Sequence, residues 1–154
     1  MAGIEKRSAE EVIQALNLQP NVEKGWFTET YRDATSFNNR SYSTAIYYLL
    51  EGSVGSSYWH RVDAAEVWHY YAGSPLILEL SYDDGKPTET HLLGPNIFEN
   101  QRPQVVVEKH QWQRARSLGD WTLVGTTVAP GFVESGFELA PPDWEPKRGP
   151  GNEQ

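Results

Sequence analysis

His60 and Glu66, an imidazole and a carboxylate, stand six residues apart near the middle of the sequence. A turn at Asp63-Ala64-Ala65 would bring the two side chains onto neighbouring strands that face one cavity. Such a pair can move protons, with Glu66 orienting His60 or completing the base, while a tyrosine such as Tyr48 donates a proton from the opposite face. The same pair can also be two metal ligands, or a buried hydrogen-bonded pair with a structural role.

The strand that contains Glu66 has side chains that alternate between two faces. Glu66 and Trp68 share one face and His69 lies on the other, so His69 leans outwards if Glu66 faces inwards, unless a bulge intervenes. His69 is therefore a candidate for a hydrogen bond within the sheet or for a contact in the pocket. Trp68 is a candidate for the pocket wall or for the core.

The elements that position these residues are one short helix and a series of short strands. Ser8 and Glu11 have the spacing of a capping box and the helical pattern stops at Asn17, which predicts a helix over residues 8–17. Turn residues separate the strands, and Asp83–Pro87 is the clearest hairpin turn. This pattern predicts an all-β antiparallel sandwich or barrel. The predicted strands are Tyr42–Leu50, Glu66–Tyr71, Leu76–Tyr82, Thr88–Leu93, Gln104–Glu108 and Trp121–Val128, with a further strand around Trp26–Tyr31.

The composition fits a single domain of 154 residues, with a barrel over about residues 22–140 and a tail rich in proline and glycine over residues 141–154. The net charge of −8 disfavours nucleic acids and anionic membranes as partners. The absence of cysteine excludes disulfides, thiolate nucleophiles and cysteine-bound zinc. No apolar run is long enough to span a membrane and the N-terminus lacks the apolar core of a secretion signal, so we expect a cytoplasmic location.

Two segments resemble the metal-binding motifs of cupins. The first of these motifs has a glycine, then His-x-His, a glutamate and a later glycine, and the interval from Glu66 to Gly73 matches it. Val62 stands at the position of the second histidine, after His60, and Gln113 stands where the second motif has its histidine. With two of the four usual ligand positions changed, we expect no metal and no other cofactor.

The sequence is similar more specifically to cupin family 5, whose members are commonly described as predicted sugar epimerases. The resemblance implies a double-stranded β-helix, or jelly roll, that often forms a homodimer, and it supplies no proven reaction. Lys24 departs from the family pattern, which has a glycine there. The matching segments are Glu23–Arg32, Ile46–Leu50, Trp59–Arg61, Glu66–His69, Val107 with Trp112–Gln113, and Val128–Phe132.

The resemblance also extends the set of candidate ligand-binding residues. It places Trp112 near the floor of the pocket, beside Gln113. Independently of the resemblance, the phenol of Tyr31 and the guanidinium of Arg40 are candidates for holding an anionic part of a ligand, although an ion pair between strands or in a dimer is the alternative for Arg40. The ligand would be a small molecule, a sugar or a nucleotide-linked sugar.

Three functions are consistent with these observations. The first is an isomerase or epimerase that removes a proton beside a carbonyl of a sugar-like substrate, with His60 as the base and Tyr48 or Tyr31 as the donor. The second is a binding module for small ligands without turnover. The third is a metal-dependent cupin enzyme, which the two missing histidines disfavour.

Overall fold

The computed structural model describes residues 3–147, which form two six-stranded sheets, a separate pair of short strands and one α-helix. The helix, α1, is Ala9–Leu16, and four short 3₁₀ turns lie at Ile4–Lys6, Gly52–Val54, Ile97–Glu99 and Glu134–Gly136. The strands are β1 (Gln19–Pro20), β2 (Trp26–Arg32), β3 (Ser36–Phe37), β4 (Arg40–Ser41), β5 (Thr44–Glu51), β6 (His60–Val62), β7 (Ala65–Gly73), β8 (Leu76–Ser81), β9 (Glu89–Leu93), β10 (Gln101–Arg102), β11 (Gln104–Val107), β12 (Trp112–Ser117), β13 (Trp121–Ala129) and β14 (Phe137–Leu139).

The two sheets pack face to face as a jelly roll, which confirms the all-β prediction. The first sheet has the order β1-β2-β5-β13-β7-β11 and the second has the order β10-β9-β8-β12-β6-β14. All strand pairs in them are antiparallel except β9 with β10. Apolar side chains from both sheets, such as Leu50, Leu78 and Val107, form the main core between them. Within residues 3–147, no helix is long and apolar enough to cross a membrane.

Helix α1 forms where the capping pattern predicts it. The Ser8 side chain accepts from the Glu11 backbone N–H, and the Glu11 carboxylate accepts from the Ser8 backbone N–H, so both ends of the capping box are present. Asn17 ends the helix in the left-handed conformation. The apolar face of the helix, around Val12, covers Leu123 on the outer side of the first sheet.

The six predicted strand runs correspond to β5, β7, β8, β9, β11 and β13, and the run around Trp26–Tyr31 corresponds to β2. The Asp83–Pro87 hairpin is confirmed, because β8 and β9 pair antiparallel on either side of it. Strand β12 was not predicted, since its buried face consists of Gln113, Ala115 and Ser117 and its other face carries two arginines, so neither face shows an apolar pattern. Strand β6 has only three residues, too few for a period to be seen.

Strands β6 and β7 follow each other in the chain but belong to different sheets. The prediction that His60 and Glu66 lie on neighbouring strands is therefore wrong. The turn between them crosses from one sheet to the other, and Asp63 in this turn accepts two hydrogen bonds from Arg40, at 3.0 and 2.8 Å. As a result, His60 and Glu66 reach one cavity from opposite walls.

The C-terminal segment packs along the second sheet as far as the structure describes it. The Trp144 ring lies 4.5 Å from the Trp112 ring and 6.2 Å from the Trp59 ring, measured between centroids. The Lys147 backbone N–H donates to Asp83 at 2.7 Å. Residues 141–147 of the predicted tail are thus held against the barrel, and residues 148–154 lie outside the described part.

Candidate functional site

A cavity of about 830 Å³ opens between the two sheets at one end of the barrel. His60 and Glu66 both line it, as do Tyr48 and Trp68. Its other walls are mainly apolar and aromatic, and its mouth carries Arg32 with several acidic side chains. The complete lining is Pro20, Asn21, Val22, Glu23, Phe27, Glu29, Arg32, Thr44, Ile46, Tyr48, His60, Val62, Glu66, Trp68, Thr126, Val128, Phe132, Val133, Glu134 and Phe137.

The His60 ring is fixed by a partner on each nitrogen. Its Nδ1 lies 2.8 Å from the carbonyl oxygen of Tyr58, and since a carbonyl can only accept, Nδ1 carries a proton. Its Nε2 lies 3.3 Å from Oε2 of Glu23. The imidazole therefore presents Nε2 to the cavity, with a carboxyl group directly beside it.

Burial makes the neutral forms of this pair favourable. It raises the pKa of Glu23 to about 8, and it lowers the pKa of His60. At neutral pH the Glu23 carboxyl then holds a proton, which it donates to the lone pair of Nε2 on His60. The pair is a carboxylic acid beside a neutral imidazole, and proton exchange between them needs only a small movement.

Glu23 reaches the cavity because the chain turns tightly between β1 and β2. The Asn21 backbone N–H donates to the Gly25 carbonyl at 2.9 Å, which closes the turn. Lys24 and Gly25 both have positive φ, of 83° and 75°, a region that favours glycine. The Glu23 carbonyl accepts from the Tyr58 backbone N–H at 3.1 Å, and this bond ties the turn to the segment before His60.

Glu66 belongs to a chain of buried hydrogen bonds that joins the two sheets. The Gln113 amide donates to Glu66 Oε1 at 2.9 Å and accepts from the Trp68 indole N–H at 2.9 Å. The Thr126 hydroxyl adds a further hydrogen bond to the carboxylate. Burial raises the pKa of Glu66, while the positive form of His60 and these hydrogen bonds oppose the rise.

Tyr48 lies at the floor of the cavity with its hydroxyl already engaged. The hydroxyl donates to the Lys24 carbonyl at 2.9 Å, and burial raises the pKa of the phenol. The ring also meets the Trp68 ring edge to face, at 5.9 Å between centroids. Tyr48 therefore supports the turn that carries Glu23.

The structure places five other candidate residues away from the cavity lining, among them Gln113, whose amide bonds to Glu66 and Trp68 instead. Trp112 points to the opposite side of β12 from Gln113 and packs with Trp59 and Trp144, so the expectation that it lies near the pocket floor is wrong. Alternation along the strand is the physical reason. His69 lies on the outer face, where it forms hydrogen bonds with Thr127 and Gln104. The Tyr31 side chain is 54% exposed. Arg40 forms an ion pair with Asp63 and also donates to the Gly131 carbonyl.

The residues present do not fit the divalent metal ion that the cupin motifs would bind. Among residues 3–147, His60 is the only imidazole that lines the cavity, and Val62 occupies the wall where the motif has its second histidine. The Gln113 amide is consumed by Glu66 and Trp68. Nor do three or more His, Cys, Asp or Glu side chains form a group that could hold a metal, within the described residues.

Glu23 is the functional candidate that reasoning from the sequence did not include. In the sequence, Glu23 stands out only as the first residue of a matching segment, because the run Glu-Lys-Gly is typical of a solvent-exposed turn. Thr126 was also missed, since a threonine in an apolar strand carries no signal of its own. The strand register alone shows that Thr126 lies directly opposite Trp68.

Solved structures with the same fold were found by comparison. A hypothetical protein from Leishmania major has a TM-score of 0.79 and 27% identity, with 86% of each chain covered. A protein from Shewanella oneidensis has a TM-score of 0.81 and 33% identity, covering 87% of this chain and 85% of that one. Oxalate decarboxylase from Bacillus subtilis has a TM-score of 0.58 and 11% identity over 80% of this chain and 30% of that one, which shows a likeness of fold alone. No curated protein matches the sequence.

The family model that matches the sequence is described as Cupin superfamily (DUF985), and the match covers residues 10–140. The matched segment contains both six-stranded sheets, the helix from its second residue onwards, and the His60, Glu23 and Glu66 side chains of the cavity. The chain therefore belongs to this family of the cupin superfamily.

Proposed function

We propose that the cavity is the active site of an isomerase or epimerase that moves a proton beside the carbonyl of a sugar-like substrate. The observation that carries this proposal is the contact between Nε2 of His60 and Oε2 of Glu23, at 3.3 Å on the wall of the cavity. An acid and a base held together in a buried site are what enolisation of a carbonyl compound requires.

The proton movements follow from the tautomer of His60. The Tyr58 carbonyl holds the Nδ1 proton, so Nε2 is the atom that accepts a proton from the substrate carbon, once the Glu23 hydroxyl has turned from Nε2 to the carbonyl oxygen of the substrate. The electrons of that C–H bond form a C=C bond, and the carbonyl oxygen takes the proton of Glu23. Reversal of these steps at the neighbouring carbon, or at the other face of the same carbon, gives the isomer or the epimer.

Epimerisation needs a donor on the second face, for which Tyr48 was the candidate. Its hydroxyl must first leave the Lys24 carbonyl, to which it donates at 2.9 Å. Glu66 lies on the wall opposite His60 and is the alternative group for that face. Isomerisation within one face needs only His60 and Glu23.

The test is exchange of substrate hydrogen with solvent. In D₂O with a panel of aldoses and ketoses, we expect NMR to show deuterium at the carbon next to the carbonyl, and we expect His60→Asn to slow this by about 10³-fold. His91→Asn is the control, because His91 pairs with Glu89 at the surface. Exchange that persists unchanged in His60→Asn, or no exchange with any sugar of the panel, would contradict the proposal.

A binding module without turnover is the second candidate. The engagement of the Tyr48 hydroxyl by the Lys24 carbonyl favours it, because this removes one donor from the acid–base set. The two functions differ in one outcome. A binding module would bind the sugars without exchanging their hydrogens.

We also propose that the chain forms a homodimer along the outer edge of β2. Strand β1 pairs only with Trp26 and Phe27, and Tyr31 and Phe37 nearby are 54% and 69% exposed. Light scattering should give about twice the chain mass of 17.4 kDa. Tyr31→Asp should shift the mass to the monomer, whereas Tyr82→Asp, at an exposed tyrosine elsewhere, should not. A monomeric wild-type protein would refute the dimer.

A further inference from the structure

Within the part of the chain that the structure describes, four hydrogen-bond donors on the cavity floor are bonded to other groups of the protein. The Tyr48 hydroxyl donates to the Lys24 carbonyl, and the His60 Nδ1–H donates to the Tyr58 carbonyl. The Trp68 indole donates to Gln113, whose amide donates in turn to Glu66. The groups on the floor that remain to bind a ligand are therefore carboxyl oxygen atoms, which accept hydrogen bonds.

The ionisable groups around the cavity are mostly acidic. Within the described residues, the lining has four carboxyl side chains, at Glu23, Glu29, Glu66 and Glu134, and a single guanidinium, at Arg32. That guanidinium is already occupied, since it donates to the Glu29 carboxylate at 2.9 and 2.8 Å and to the Phe132 carbonyl at 3.2 Å. A phosphate or carboxylate entering the cavity would therefore meet mainly acidic side chains, and the one guanidinium among the lining residues that the structure describes is already paired.

The walls of the cavity determine which ligand shapes fit. Phe27, Trp68, Phe132 and Phe137 give the cavity flat apolar surfaces, which suit the face of a ring. The ligand that fits has a ring against these walls and donor groups towards Glu23 and Glu66.

We infer that the cavity selects ring-shaped ligands that enter with hydroxyl or ammonium groups, and that it rejects ligands with a phosphate or carboxylate at the buried end. This inference rests on the proposed function in that it describes the substrate class of the same site. It narrows the class from sugars in general to neutral sugars and amino sugars. A nucleotide-linked sugar would have to keep its phosphates outside the mouth.

Four compounds that share one ring test the inference: benzyl alcohol, benzylamine, benzoate and phenyl phosphate. None of them is a sugar or has an acidic C–H beside a carbonyl, so the outcome is independent of whether the protein catalyses enolisation. Binding at millimolar concentration is followed by NMR through the indole N–H of Trp68, which lines the cavity. We expect the alcohol and the amine to bind about tenfold or more tightly than either anion. The ratio between the alcohol and the amine distinguishes hydroxyl from ammonium recognition.

Glu66→Gln supplies the matched variant, because it keeps the side-chain shape and an oxygen that accepts from Gln113 while replacing the other carboxyl oxygen with an amide group that donates. It should reduce the preference against benzoate by about tenfold, whereas Glu99→Gln, at an exposed glutamate outside the cavity, should leave it unchanged. Equal or tighter binding of the anions by the wild-type protein would overturn the inference. Failure of all four compounds to shift the Trp68 indole signal would overturn it as well.

Discussion

Glu23→Gln should make the free energy of unfolding less dependent on pH, by about 3 kcal/mol between about pH 5 and pH 8. Burial raises the pKa of Glu23 to about 8, whereas in the unfolded chain the pKa of its carboxyl is close to the ordinary value of 4.5. Between these values the folded protein binds one proton more than the unfolded chain. Raising the pH across this range therefore destabilises the wild-type protein, and glutamine removes this loss.

Comparing the wild-type protein with Glu23→Gln isolates the effect of ionisation, because glutamine preserves the contact with His60. Its amide can donate to Nε2 of His60 as the protonated carboxyl does, so the two proteins should have similar stability below about pH 4.5, where Glu23 is neutral in both states. Urea unfolding at a series of pH values measures the difference. Glu99→Gln, at an exposed glutamate, is the control and should follow the wild-type profile. Parallel profiles for wild type and Glu23→Gln would show that Glu23 is ionised in the folded protein.

Gly25→Ala should destabilise the fold by about 3 kcal/mol more than Gly55→Ala. Both glycines have a positive φ, 75° and 71°, so an alanine is strained at either position. They differ in what surrounds them. A Cβ at Gly25 would lie 2.6 Å from the Leu49 carbonyl oxygen and 2.7 Å from the Tyr48 hydroxyl, whereas a Cβ at Gly55 meets nothing within 4 Å.

The effect of Gly25→Ala should extend to the cavity. Because Tyr48 donates to the Lys24 carbonyl, displacing its ring also displaces the turn that holds Glu23. Urea unfolding of the two variants gives the stability difference, and the NMR shift of the Trp68 indole with benzyl alcohol reports the cavity. Equal stabilities of the two variants would mean that the turn adapts, and the close packing of Gly25 would then carry no cost.

The fold was predictable because its signals are local. Alternation in runs such as Leu76–Tyr82 and the hairpin turn at Asp83–Pro87 depend on a few consecutive residues, and the structure confirms both. Which of the two sheets each strand joins could not be predicted from local signals. Whether the turn at Asp63 joins two strands of one sheet or crosses between sheets depends on contacts with distant residues, among them Arg40.

Which residues face the cavity could be predicted for those that lie on a predicted strand. Glu66 and Trp68 face the cavity as alternation predicts, and His69 faces away. Alternation along β12 would also have separated Trp112 from Gln113, had that segment been assigned as a strand. Glu23 could not be found, since a turn carries no period and its burial depends on contact with Tyr58, distant in sequence.

The most direct test of the acid–base pair is the protonation state of the His60 imidazole, read from its ¹⁵N chemical shifts by NMR at neutral pH. We predict a neutral ring whose proton is on Nδ1, held by the Tyr58 carbonyl, and whose Nε2 lone pair accepts the proton of Glu23. The signals should disappear in His60→Asn, which assigns them. A ring protonated on both nitrogens at neutral pH, or one with its proton on Nε2 alone, would contradict this prediction.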